Sequence, residues 1–190
     1  MLRLLPLSLL KWFGWSAKHE PRPNPNRSRP QHRRSDGSRE ADQLLKDALD
    51  LAYLTAQRPA DVLKMAMSDI QGDELIVRQG KTGKTVRIAL VGRLAELIAR
   101  VKERARNAPV AHFALLQTHK GRPLSKGMLH VRFDAARTAA GVSFQYRDLR
   151  PMGLTAQPDL EAARALAGHG TSAITNRVYR RGGERAKPNE

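Results

Sequence analysis

Apolar residues along this chain recur first at helical spacing, then in alternation, then at helical spacing again. Leu44, Leu45, Ala48, Leu49 and Ala52 share one stripe of a helix that starts at 38–42. Pro59 suits the first turn of a second, short helix running to about Met65, which puts Arg58 at the junction. The period then changes. Ile70 and the run Leu75, Ile76, Val77 lead into Lys81-Thr82-Gly83-Lys84, and Val86, Ile88 and Leu90 follow. Gly83 supplies the backbone freedom that a tight turn requires, so the pattern predicts a β-hairpin with Lys81 at its tip.

Leu94, Leu97, Ile98, Val101 and Ala105 define an amphipathic helix. A short apolar stretch at 113–116 and the turn Lys120-Gly121-Arg122-Pro123 precede another helix. Ser125 is its candidate N-cap, with Met128, Leu129, Phe133 and Ala136 facing inward. Three more helices are predicted, at 147–154, at 158–167 with Gly168 as terminator, and at 172–179. No internal repeat is present.

The ends read differently. Residues 16–40 are rich in Pro, Arg, Asn and Ser with almost nothing apolar, so burial cannot offset their ordering entropy. They are expected to form a disordered basic linker. Before them, MLRLLPLSLLKWFGW carries six leucines and has the look of a signal peptide. Pro6 and Lys11 break its apolar run, no small-residue cleavage site follows, and it is too short to span a bilayer. A weak membrane contact, or translation from an upstream start on a truncated gene, accounts for it better than export. The expected division is a basic segment at 1–40, one domain at 41–182 and a polar tail at 183–190.

Charge narrows the partners. The 34 Lys and Arg exceed the 18 Asp and Glu by +16, and the isoelectric point is near 11.1. Such an excess favours a polyanion, because each phosphate contact releases condensed counterions. Charge alone does not separate DNA from RNA, and a basic RNA-associated protein is one reading. The absence of cysteine removes disulfides, thiolate catalysis and cysteine-bound metals. His19, His32, His112, His119, His130 and His169 form no ligand-spaced cluster, so neither a metal site nor a cofactor is expected.

The chemistry lies in a set of scattered residues. Arg58 stands in TAQRPADVL, Lys81 in QGKTGK, Arg147 and Arg150 in RDLR, and His169 with Tyr179 in LAGHGTSAITNRVYRR. In that order and context, over roughly residues 42–187, they resemble the catalytic domain of tyrosine recombinases, the phage integrase family. The resemblance implies an α+β fold, mainly helical, with a small antiparallel sheet. It implies site-specific DNA integration or excision through a 3′-phosphotyrosyl intermediate that needs no ATP, metal or cofactor. Arg58 and Arg150 would clamp the non-bridging phosphate oxygens, a role suited to a planar fork that stays charged at neutral pH. Lys81 would be the general acid for the 5′-oxygen, with Lys84 the competing candidate. His169 would bond the scissile phosphate, and Tyr179 would be the nucleophile.

The pattern departs from the common one in three places. Arg147 stands where many members have histidine, which moves the base role to Asp148, His169 or water. Ala167 replaces the usual second leucine of the LGH signature. The interval from His169 to Tyr179 is one residue longer than usual. The resemblance also implies double-stranded DNA as partner, a homotetramer on DNA with exchange of a C-terminal segment, no membrane, and a bacterial cytoplasmic setting. Residues 1–41 cannot supply the family's N-terminal core-binding domain, so the chain reads as a truncated integrase that works alone or with a separate clamp or full-length recombinase. The alternative is a non-catalytic DNA-binding remnant of a mobile element.

Overall fold

Helix α1 (Asp36–Thr55) is the element around which the others gather in this computed structural model, which describes residues 36–110 and 112–168. It begins slightly ahead of the expected start at 38–42. Leu44, Leu45, Ala48, Leu49, Leu51 and Ala52 are all buried. That arc is wide enough to meet neighbours on more than one side.

Asp47 lies inside the arc and is fully buried. A buried carboxylate costs several kcal/mol unless donors surround it. Here Arg100 donates through Nε at 3.0 Å and Nη2 at 2.9 Å, Arg104 through Nη2, and Gln43 through Nε2 at 3.0 Å. These bonds tie α3 (Gly92–Arg106) to α1, alongside the apolar face of Leu94, Leu97, Ile98 and Val101. Arg93 adds a looser pair with Asp50 at 3.6 Å.

A short helix α2 (Pro59–Val62) follows α1, ending earlier than the apolar pattern implies. Strands β1 (Ile70–Gln71), β2 (Glu74–Arg78) and β3 (Thr85–Ala89) then form an antiparallel sheet in the order β1-β2-β3. The register sets Leu75 opposite Ile88 and Val77 opposite Val86, and all four are buried. This is the predicted hairpin, with alternation turning one face to the core.

Helix α4 (Lys126–Ala140) is capped as expected, since Ser125 Oγ accepts from the Met128 amide at 3.2 Å. Phe133 of α4 meets the rings of Phe144 and Tyr146 edge-on, at 5.3 and 5.8 Å between centroids. The Tyr146 hydroxyl donates to the Ala48 carbonyl at 2.7 Å, and burial pushes its pKa above the ordinary phenol value. The predicted apolar stretch at 113–116 divides. Leu115 and Leu116 are buried, while Phe113 is 84% exposed.

A 3₁₀ turn (Tyr146–Asp148) leads into α5 (Leu149–Thr155). Here α1 and α5 touch main chain to main chain. A β-carbon built on Gly153 would lie 2.3 Å from the carbonyl oxygen of Tyr53, so no side chain fits there. The last described helix is α6 (Leu160–Ala167). It starts two residues later than the 158 boundary predicted, because the Asp159 carboxylate caps the Ala162 amide at 2.7 Å. Gly168 ends it at φ 65, the left-handed conformation that glycine adopts without penalty. The predicted helix at 172–179, the polar tail and residues 1–35 of the basic segment lie outside the described residues, whereas 36–40 of that segment, expected to be disordered, form the first turn of α1.

Candidate active site

Arg58 occupies the capping position of α2, in extended backbone with φ −68 and ψ 149. Proline at the next position imposes that conformation, because its ring excludes the helical region for the residue before it. The side chain is 28% exposed, and its Nη1 stands 3.9 Å from Asp61 Oδ2, one helical turn on. That is too long for a hydrogen bond. Neither atom has a hydrogen-bond partner among the described residues, although both are buried. The other Asp61 oxygen is occupied, accepting the Gly80 amide at 2.9 Å. Asp61 thus holds the start of the hairpin loop and, among the described residues, pairs with Arg58 only loosely, without a hydrogen bond.

Arg150 arrives from α5. Its Nη1 donates to the Ala56 carbonyl at 2.7 Å and its Nη2 to the Ala167 carbonyl at 3.0 Å. Ala56 is buried with φ 49, a left-handed conformation that costs a non-glycine residue about 1 kcal/mol or more. That twist ends α1 and leaves the Ala56 carbonyl bonded to the guanidinium. The Arg150 pKa is lowered to about 10, chiefly by burial, then by the Arg58 cation, with Asp61 opposing. The two arginines are therefore close enough to repel. Such a pair of cations gains most from an anion between them.

Lys81 is exposed in the loop between β2 and β3. The base of that loop closes through the Gln79 amide to the Lys84 carbonyl at 2.8 Å and the Gly83 amide to the Gln79 carbonyl at 2.9 Å. Lys84 sits at this base and Lys81 follows Gly80, whose amide Asp61 holds. Arg147 precedes Arg150 by three residues. It is exposed on the 3₁₀ turn and lines a hollow of about 450 Å³ with Lys126, His130, Asp134 and Arg137. A second hollow of about 370 Å³ shares Lys126 and His130 and reaches Pro59, beside Arg58.

The structure thus brings Arg58 and Arg150 together, sets the Lys81 hairpin against Asp61, and places Arg147 on a hollow that shares Lys126 and His130 with the one reaching Pro59. His169 and Tyr179 lie outside the described residues, and Gly168 is the last residue before them. Sequence reasoning missed Asp61, although its place three residues after Arg58 on a helix signals contact. It also missed Gln79, which continues the inward series Leu75, Val77, and Gln57, which carries no local signal.

Comparison with known proteins gives this arrangement its class. The Phage integrase family profile matches residues 35–184. The integrase of Escherichia phage HK022 is 31% identical over 144 residues, covering 70% of this chain and 40% of that protein. The prophage integrase IntE of Escherichia coli K12 is 29% identical over 150 residues with the same coverage. A lambda integrase (75–356) dimer bound to a COC′ core site superposes with a TM-score of 0.65 at 27% identity, over 77% of this chain and 56% of that one. The lambda integrase catalytic core gives a TM-score of 0.58, also at 27% identity, over 67% of this chain and 84% of that one. The chain belongs to the phage integrase family, and its fold is that of the catalytic domain. It spans about 40% of the length of the curated relatives it matches.

Proposed function

We infer that this chain is the strand-cleaving domain of a site-specific tyrosine recombinase acting on double-stranded DNA. The observation that carries this reading is the pairing of Arg58 and Arg150, cations from two different helix junctions, with Arg58 Nη1 making no hydrogen bond among the described residues. A pentacovalent phosphorus carries charge on its non-bridging oxygens, and preorganised cations stabilise that charge more than the ground state. In the proposed step the Tyr179 phenolate oxygen attacks phosphorus and the bond to the 5′-oxygen breaks. Lys81 delivers a proton to the departing oxygen while the hairpin closes on DNA. The product is a 3′-phosphotyrosyl link and a free 5′-hydroxyl. Attack by a 5′-hydroxyl reverses the step, so the adduct itself retains the bond energy. His169 would bond the phosphate, and Arg147 would extend the basic surface toward the flanking backbone.

Lambda integrase is described in complexes as a dimer on a core site and as a tetramer on a Holliday junction. By likeness, a homotetramer on DNA is part of this proposal, as is action in a bacterial cytoplasm. Among the described residues no helix is long and apolar enough to cross a membrane.

A duplex nicked just beyond the cleavage site tests the reading, because loss of the short 5′ fragment traps the adduct. The wild type is expected to accumulate a covalent protein–DNA species and Tyr179→Phe to accumulate none. An adduct that survives Tyr179→Phe would overturn the nucleophile. A second reading, DNA binding without cleavage, is favoured by Arg147, whose guanidinium cannot accept a proton as histidine can. It predicts salt-sensitive binding with no adduct from any variant.

A further inference from the structure

Behind the arginines, two buried glutamines form a set of hydrogen bonds that the cleavage step does not itself use. Gln57 and Gln79 are each 1% exposed. Gln79 Nε2 donates to Gln57 Oε1 at 2.8 Å and to the Ala167 carbonyl at 2.8 Å. Gln57 Nε2 donates to the Thr55 carbonyl at 2.9 Å and to the Leu166 carbonyl at 2.8 Å. Gln79 Oε1 accepts from Thr82 Oγ1, in the hairpin loop, at 2.7 Å. Every amide hydrogen on both side chains is thus used. Turning either amide over would set oxygen against carbonyl oxygen, so both orientations are fixed by their partners.

What these bonds connect gives them meaning. On one side is the loop that carries Lys81. On the other is the carbonyl end of α6, whose Ala167 oxygen also receives Arg150. Gly168 rests directly on this cluster, since a β-carbon there would lie 2.9 Å from Gln79 Nε2 and 2.9 Å from Val86 Cγ2. The next residue is His169.

We propose that Gln57 and Gln79 are positioning residues that lock the end of α6 to the base of the hairpin, so that the Lys81 loop and the α6 terminus at Ala167 and Gly168 share one frame with Arg150. The coupling stands on the bonds above. Its catalytic meaning rests on the role given to Lys81 under the proposed function.

Amide hydrogen exchange on the full chain tests the coupling without any need for cleavage. The reporters are the Gly83 amide, bonded to the Gln79 carbonyl, and the Gly168 amide, bonded to the Ala165 carbonyl. Gln57 reaches the hairpin only through Gln79 in the bonds described. Gln57→Met is expected to speed exchange at both reporters by about tenfold, with α3 amides unchanged, because local opening is selective. Faster exchange at Gly168 alone, or a uniform rise across the chain, would overturn the proposal. Thr82→Val guards against a variant that fails to fold, since Thr82 is exposed. It is expected to speed Gly168 exchange severalfold, and an unchanged Gly168 overturns the link.

A second arm uses nicked DNA with sulfur in place of the leaving 5′-oxygen. The phosphorus–sulfur bond breaks and the pair departs as thiolate, with no proton needed. Gln79→Met is expected to slow cleavage of ordinary DNA about tenfold or more, the scale of a misplaced general acid, while DNA affinity holds. Sulfur should restore its rate as it restores Lys81→Ala. If Lys81→Ala is restored and Gln79→Met is not, positioning of Lys81 is overturned. If Lys81→Ala is not restored, the Lys81 role fails, and the exchange result alone decides the coupling.

Discussion

Two buried aspartates, each attended by two arginines, behave differently in this molecule. At Asp47 the carboxylate takes donors from both Arg100 and Arg104, so its charge is used within the fold. At Asp61 one oxygen is given to the Gly80 amide, Arg58 stands off at 3.9 Å, and Arg150 bonds to carbonyl oxygens instead. The stoichiometry is the same and the outcome is opposite. Carbonyls satisfy a guanidinium's hydrogens without cancelling its charge, which is how a fold stores positive potential for an anion. The first cluster joins α1 to α3. The second, on this reading, awaits a phosphate.

The sharpest way to break that contrast is to remove each carboxylate. Asp47→Ala strands a half-buried guanidinium pair and is expected to cost about 3–5 kcal/mol in urea unfolding. Asp61→Ala loses one hydrogen bond and should cost only about 1–2 kcal/mol. Equal losses would mean that both clusters are structural. Next in size, Arg150→Met removes two charged donors from the Ala56 and Ala167 carbonyls, at about 2 kcal/mol, and should abolish the adduct. Arg100→Met takes two donors from the buried Asp47 carboxylate but leaves Arg104 and Gln43 on it, so it should cost about 1–2 kcal/mol and leave cleavage intact.

Acidity gives a subtler comparison. Folding lowers the Arg150 pKa to about 10, so the unfolded chain holds its proton to higher pH. Stability then rises with pH wherever the unfolded state binds more protons. The wild type is therefore expected to gain stability relative to Arg150→Met as pH climbs above about 10, followed by urea titration at each pH. A loss in that range would mean that burial is not what governs the site. The smallest effect concerns affinity. Asp61→Asn deletes the carboxylate charge that faces Arg58 among the described residues and should tighten DNA binding about two- to fivefold at low salt, fading as salt screens it. Asp47→Asn should leave affinity unchanged.

Much of this was legible in the sequence because it is local. The hairpin follows from alternation through Leu75, Val77, Val86 and Ile88, and the position of Arg58 follows from Pro59. The family resemblance that Arg58, Lys81, Arg150, His169 and Tyr179 carried by their order and context is borne out by the family match. What escaped depends on distant partners. Asp47 sits on the apolar stripe, but its meaning needs Arg100, which lies 53 positions away on another helix. Gln79 falls on the inward phase of β2, yet a polar residue there reads as a strand end until Ala167 is brought beside it. The left-handed Ala56 has no local signature, since alanine favours helix and only its surroundings hold the twist.

Gly153 carries a last consequence. It lies one turn beyond Arg150 on α5, and the Tyr53 carbonyl it touches lies just ahead of Ala56 and Arg58. At this contact the spacing of α5, which carries Arg150, and the end of α1, which leads to Arg58, is therefore gauged by main chain, with no side chain on Gly153 to absorb error. A single methyl at 153 would act as a shim, prising Arg58 and Arg150 apart with neither arginine changed.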